Sequence, residues 1–190
     1  MMGLAILAVG AVGIVSLQRF AVMGTMTSRH ITNVTNATAS MLERMSAEAV
    51  LWTDNSTSLS AATMPTLGPA LANQGQWQRP TIRGFLIDGS PIDADAAADN
   101  DPVAYCSHVR AVFLGNPSAT GPTQATAARV EVRSFYAKTG RSVARECRTW
   151  TGDAVEALFD GTPQSAGTVT RNRSEYGTIF LSTIIRRNTQ

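Results

Sequence analysis

The first 17 residues of this 190-residue chain are uncharged and almost wholly apolar, and this segment most constrains the fold. Its single hydroxyl is Ser16, and Gln18 and Arg19 end it. As an α-helix, 17 residues span about 26 Å, slightly less than the roughly 30 Å hydrocarbon core of a bilayer. The segment lacks the polar face of a soluble core helix and the basic start and small-residue cleavage site of a signal peptide. It therefore predicts a transmembrane helix over residues 1–17.

The helical pattern continues beyond this apolar segment. Between Gln18 and Trp52 there is no proline, and Gly24 is the one glycine. Apolar or small side chains recur at spacings of three and four, which is one face of an amphipathic helix. The sequence thus predicts one N-terminal helix over residues 1–53, about 50 residues and about 78 Å long. Its expected packing positions are Leu4, Ile6, Leu7, Val9, Ile14, Leu17, Ile31, Val34, Met41 and Met45.

The rest of the chain predicts a connector and a small β domain. Residues 54–103 are rich in Thr, Ser, Ala, Pro and Gly, and they predict a poorly structured connector with one short strand over residues 81–87. Residues 104–190 have the apolar alternation of strands. Strands are predicted over residues 105–114, 129–137, 142–149 and 177–186, and a short helix over residues 151–159. The fold class is therefore α+β, a long N-terminal helix packed on a small C-terminal antiparallel β-sheet.

In the second predicted strand, charged and apolar residues alternate. Arg129, Glu131 and Arg133 are separated by Val130 and Val132. Successive side chains of a strand point to opposite faces, so the three charged side chains are expected to face solvent.

The chain has two cysteines, Cys106 and Cys147. In an exported protein an even cysteine count favours a disulfide, whereas in a cytosolic protein the same pair would remain free thiols. The export-like N-terminus favours the bridge. It would close a loop of roughly 40 residues and add about 4 kcal/mol of stability.

Catalytic and ligand-binding patterns are weak in this sequence. Neighbouring strand residues such as Ser107 and His108 point to opposite faces and cannot form a nucleophile–base pair. We therefore predict no enzymatic activity and no small-molecule substrate. The net charge of +2 and the absence of aromatic residues among the arginines also argue against nucleic-acid binding.

An acidic stretch is the best candidate for metal chemistry. Asp93, Asp95, Asp99 and Asp101 supply the carboxylates that Ca²⁺ prefers. Their spacing lacks the third alternate ligand and the central glycine of a calcium loop. We therefore predict a solvated acidic loop and no cofactor, with these four residues as the candidate Ca²⁺ ligands.

The N-terminal sequence resembles a known family. LAILAVGAVGIVSLQRFAV at residues 4–22, followed by SMLERM at residues 40–45, is similar to the N-terminal helix of type IV pilus minor pilins of the modification protein (PilV-like) type. Type II secretion pseudopilins share the general pattern. The resemblance covers about residues 4–50, and it implies that the family's leader, cleavage glycine, phenylalanine and glutamate lie upstream of Met1.

The resemblance implies a structural role. Such a subunit is held in the inner membrane by one helix, with its C-terminal domain in the periplasm, and then enters a cell-surface pilus. Its partners would be other major and minor pilins, and its role would be filament assembly or priming, and through it adhesion or twitching motility. Two alternatives remain open: a minor pseudopilin of a type II secretion system, and a single-pass envelope binding protein.

Overall fold

The computed structural model describes residues 2–53, 62–114, 125–160 and 175–188, with the side chains of residues 2–12, 23 and 157–160 left out. The chain divides into two units, Met1–Asn33 and Val34–Gln190, which are described separately. The helices are α1 (Met2–Glu48), α2 (Leu67–Ala72), α3 (Ala144–Thr149) and α4 (Gly152–Asp160), with a 3₁₀ turn at Ala49–Leu51. The strands are β1 (Ile82–Phe85), β2 (Pro91–Asp93), β3 (Tyr105–Leu114), β4 (Ala127–Ala137) and β5 (Tyr176–Arg186).

The five strands form one antiparallel sheet in the order β2-β1-β3-β4-β5. The three long strands make its centre and one edge. β3 and β4 pair over ten residues, from Tyr105 opposite Tyr136 to Leu114 opposite Ala127. β4 and β5 pair over eleven residues without interruption. Together with α1, this sheet confirms the predicted α+β class.

The C-terminal part of α1 packs on one face of the sheet. Val34, Met41 and Met45 are at most 1% exposed and share a core cluster with Val109, Val130 and other sheet residues. This is the apolar stripe that the spacing of three and four predicts. Helix α1 is followed by Trp52, which is fully buried in the same cluster.

The opposite face of the sheet is covered by chain segments that include helices α3 and α4. Its core cluster contains Cys106, Phe135, Trp150, Val155 and Tyr176, all 5% exposed or less. Phe135 and Trp150 stack with ring centroids 5.3 Å apart. Strands β3 and β4 are therefore largely buried on both faces of the sheet, and each face has its own core.

The predicted strand over residues 142–149 is wrong, because residues 144–149 form helix α3. Val143, Ala144 and Cys147 are buried, a spacing of three and four that places them on one side of a helix. Ala144, Arg145 and Glu146 are also good helix formers. The amide of Cys147 donates to the carbonyl of Val143 at 2.8 Å, which fixes the first turn.

The predicted connector contains more regular structure than expected. Helix α2 and strands β1 and β2 all lie between residues 62 and 103, and residues 54–61 lie outside the described residues. Glu48, at the end of α1, accepts hydrogen bonds from the amides of Thr66 (2.9 Å) and Leu67 (2.6 Å), and so anchors the start of α2. Helix α1 ends at Glu48, five residues before the predicted end at residue 53, although the 3₁₀ turn continues the chain to Leu51. The strands predicted over residues 81–87, 105–114, 129–137 and 177–186 and the helix predicted over residues 151–159 are found within two residues of their expected ends.

The predicted membrane segment, residues 1–17, is helical from Met2 onward. The packing positions Leu4, Ile6, Leu7 and Val9 fall among the side chains outside the described set. Within the part of the chain that is described, no helix has both the length and the apolar character to cross a membrane.

Candidate functional site

The helical residues 13–31 carry large apolar side chains that are exposed. Their exposed fractions run from 43% to 73%: Ile14, Val15, Leu17, Phe20, Val22, Met26 and Ile31. At about 100° per residue these side chains point all around the helix axis. Arg19 is the one charged residue between positions 13 and 28. This apolar helix surface, residues 13–31, is the first candidate site.

Hydroxyl groups on this helix are satisfied by its own backbone. The Thr25 hydroxyl donates to the carbonyl of Ala21 at 2.9 Å, and that of Thr32 donates to the carbonyl of Ser28 at 3.0 Å. These bonds remove the need for water at the two side chains. The surface is thus suited to an apolar environment, such as lipid or other helices.

Three buried hydroxyls join α1 to the sheet. Thr38 Oγ1 lies 2.7 Å from Ser134 Oγ, which lies 2.6 Å from Ser107 Oγ. All three residues are fully buried in an otherwise apolar interface. We call them the hydroxyl cluster. The sequence contains no signal for this cluster, because isolated serines are common on both faces of strands.

The two cysteines form the expected disulfide. Cys106 of β3 and Cys147 of α3 are bonded, with Cα atoms 5.5 Å apart, and both are fully buried. The bond holds helix α3 against the sheet. The disulfide is confirmed, although Cys147 lies on a helix and not on the strand where it was expected.

The acidic loop is tied to arginines and backbone amides. Asp95 pairs with Arg83, and Asp99 pairs with Arg148. The carboxylate of Asp93 accepts the amide of Asp95 at 2.9 Å, and that of Asp101 accepts the amide of Ala98 at 2.7 Å. In the described ranges no group of three or more His, Cys, Asp or Glu side chains is placed to hold a metal ion.

Arg83 is the buried cation to which the acidic loop is bound. Its side chain is 2% exposed, and its guanidinium donates to the carbonyls of Cys147 and Pro80 as well as to Asp95. The hydrogen bond from Arg83 lowers the pKa of Asp95 below its ordinary value. A carboxylate used in this way is a structural partner of a buried cation, which sequence reasoning missed because the two residues lie on different elements.

The charged residues of β4 do not all face solvent, which corrects the sequence expectation. Glu131 is 3% and Arg133 is 6% exposed. The ring of Trp77, from the connector, packs against two guanidinium groups. Its centre lies 4.0 Å from Cζ of Arg133 and 4.5 Å from Cζ of Arg110. Arginine stacks favourably on an indole face, so the tryptophan covers charged side chains that alternation alone would leave in water.

Two arginines neutralise the carboxylate of Glu131. Arg110 Nε lies 2.6 Å and Arg129 Nε 2.8 Å from its oxygens. Trp77 packs directly on the backbone of Gly152. A glycine is needed there, because a Cβ at position 152 would lie 2.3 Å from the Trp77 Cβ. We call Trp77, Arg110, Glu131 and Arg133 the arginine–tryptophan cluster. Its indole is 9% exposed, so it offers no free ring for base stacking.

His108 lies beside this cluster and is fully buried. Neither of its ring nitrogens has a hydrogen-bond partner among the described residues, and its ring meets the edge of Phe135 at a centroid distance of 5.6 Å. Burial, reinforced by the charge of Arg133, lowers the pKa of His108 to about 3. Ser107 faces the hydroxyl cluster and His108 the opposite side, as their adjacent positions in a strand predict.

Comparison of this chain with protein-family models, with curated proteins and with solved structures finds no match.

Proposed function

We propose that this chain is a minor pilin-like structural subunit of a type IV pilus that acts in filament assembly or priming, and through it in adhesion or twitching motility. The observation that carries the proposal is the exposed apolar helix surface, residues 13–31. A surface of seven large apolar side chains on one helix is unfavourable in water and calls for a cover of lipid or of other helices. A helical filament core supplies the second kind of cover.

The remainder of α1 supports this role. Val34, Met41 and Met45 attach the C-terminal part of the helix to the sheet, so this part of α1 belongs to the folded β domain. In the proposed sequence of events the helix is held in the inner membrane, the β domain lies in the periplasm, and the subunit then joins major and minor pilins.

The test introduces a charge at Phe20, which is 73% exposed, and compares it with the same change at Val50, which is 63% exposed on the 3₁₀ turn. Burying Asp on an apolar helix costs about 3 kcal/mol, or roughly a hundredfold in an equilibrium constant. Phe20→Asp should therefore remove the chain from sheared filaments of a piliated host, while Val50→Asp should leave it there.

Two outcomes would contradict the proposal. One is absence of the unmodified chain from filaments, with normal piliation after deletion. The other is equal recovery of both variants. A deletion that impairs protein secretion and leaves piliation intact would assign the chain to a type II secretion pseudopilus instead.

A further inference from the structure

The two edges of the sheet are protected to different degrees. β2 forms one edge with only three residues, including Pro91 and Asp93. Short length, proline and charge are devices that keep an edge strand from pairing with another chain. β5 forms the other edge with eleven residues, and residues 176–185 contain no charge and no proline. Its pairing with β4 also runs without a bulge.

The outer side of β5 presents backbone groups that β4 does not use. At the two ends of the strand, the amide of Lys138 donates to the carbonyl of Glu175 and the amide of Arg187 donates to the carbonyl of Thr126. Odd-numbered residues of β5 therefore bond toward β4. Successive residues direct their N–H and C=O groups to opposite sides, so the even-numbered residues direct theirs outward.

Among the described segments, no strand pairs with these outward groups along β5. The first contact on this side comes beyond the strand, where the amide of Asn188 donates to the carbonyl of Trp52 at 2.9 Å and Asn188 forms a bridge with Thr53. Even-numbered residues of the strand with exposed side chains include Thr178, Phe180 (51%), Ser182 and Ile184 (62%). Tyr176, at the start of the strand, is buried. Within the described ranges this edge thus combines backbone groups that no strand uses with exposed apolar side chains.

We propose that a second copy of this chain binds here, with the two β5 strands antiparallel about a two-fold axis at Leu181. In this register Glu175 lies opposite Arg187 of the other copy at each end of the interface. Opposite charges facing each other across strands are favourable. The Thr53–Asn188 bridge closes the edge immediately beyond these residues.

The backbone parity restricts the register. Outward-facing residues must oppose outward-facing residues, so the odd-numbered Glu175 can oppose Arg187 but not Arg186. The hydrogen-bonded pairs are then Phe180 with Ser182 and Thr178 with Ile184. These two pairs each place an apolar residue opposite a polar one, and on the other face Leu181 meets Leu181 of the second copy. The two sheets would then join into one. This proposal uses the sheet edge and does not depend on the filament proposal.

The test is register-specific cross-linking of the full chain in detergent. In the proposed pairing Leu181 opposes itself at a non-hydrogen-bonded position, with Cα atoms about 4.5 Å apart, within the range that a disulfide spans. Because both native cysteines are already bonded, Leu181→Cys supplies a single reactive thiol. Mild oxidation should convert this variant to a disulfide-linked dimer on non-reducing gels.

The matched control is Thr183→Cys, on the same face of the same strand. Thr183 would oppose Ile179, so the two introduced thiols of this control would lie about 13 Å apart and should not cross-link. Ser182→Pro in the Leu181→Cys background removes an outward N–H that β4 does not use, and it should abolish the cross-link. Ser182→Lys, in the same background, is a milder variant that should also reduce the cross-link.

Three results would overturn the proposal: no cross-linking of Leu181→Cys, equal cross-linking of Thr183→Cys, or a cross-link that persists in both Ser182 variants. Equal cross-linking would indicate association through the apolar helix. An uncross-linked Leu181→Cys would indicate that another segment of the same chain or a different partner covers the edge.

Discussion

The His108 ring is fully buried, and its ring nitrogens have no hydrogen-bond partner among the described groups. A buried polar group without a partner costs about 1–3 kcal/mol. The protonated ring would also carry a charge near Arg133, Arg83 and Arg79, which together with burial lowers its pKa from 6.5 to about 3. His108 therefore remains neutral in the folded protein over the whole mildly acidic range.

This shift predicts a loss of stability with acid. Below pH 6.5 the unfolded chain binds a proton at His108 that the folded chain binds only near pH 3. The free energy of unfolding should therefore decrease as the pH falls through this window, by at most about 1.4 kcal/mol per pH unit from this residue. Denaturant titrations of His108→Leu should show a shallower decrease, with stability at pH 7 equal to or above that of the parent.

The matched control for this experiment is His30→Leu, which removes the other histidine of the chain and leaves His108 in place. It should retain the acid-dependent decrease. An unchanged slope in His108→Leu would contradict the assignment of the effect to the buried ring.

Gly152 allows the backbone of Trp77 to approach closely. A Cβ at this position would lie 2.3 Å from the Trp77 Cβ and 2.8 Å from the Trp77 carbonyl oxygen, so backbone would have to move. We expect Gly152→Ala to cost about 1–3 kcal/mol in unfolding free energy and to disturb the arginine–tryptophan cluster. Gly24→Ala, where nothing lies within 4 Å, is the control and should not destabilise. Equal stability of the two variants would count against the tight contact.

At the scale of elements, the disulfide links helix α3 to strand β3 of the sheet. Cys106 and Cys147 are 41 residues apart in sequence, and closing such a loop contributes about 4 kcal/mol. The double variant Cys106→Ser/Cys147→Ser should lose a comparable amount of unfolding free energy. Adding a reductant should weaken the parent and leave the double variant unchanged, and chemical denaturation with and without reductant measures both. A reductant effect that survives in the double variant would contradict this account.

The sequence predicts the long strands and α1 well because their periodicities extend over many residues. β3, β4 and β5 each have ten or eleven residues, and α1 has a stripe of three-and-four spacing. Helix α3, with six residues, is too short for its periodicity to be distinguished from a strand. The burial of Glu131 and Arg133 depends on Trp77, which is distant in sequence, and local alternation contains no information about such a cover.

At the scale of the molecule, two kinds of interior stabilise the sheet. The face toward α1 is apolar apart from the hydroxyl cluster, whereas the opposite face combines the disulfide, stacked aromatic rings and paired arginines. Two described surfaces remain uncovered: the apolar helix surface of residues 13–31 and the outer edge of β5. The filament proposal places helices of other pilins against the first, and the dimer proposal places a second copy against the second.

The hydroxyl cluster has a mechanical consequence. Met41 and Met45 are flexible side chains that could repack after a small slide of the helix along the sheet. The hydrogen bond between Thr38 and Ser134 would break in such a slide, because one turn moves Thr38 about 5.4 Å along the sheet. Thr38 would keep its bond to the Val34 carbonyl and Ser134 its bond to Ser107, so the slide would cost this one buried hydrogen bond, about 1 kcal/mol. Under axial load the Thr38–Ser134 bond therefore favours one position of the C-terminal part of α1 along the sheet.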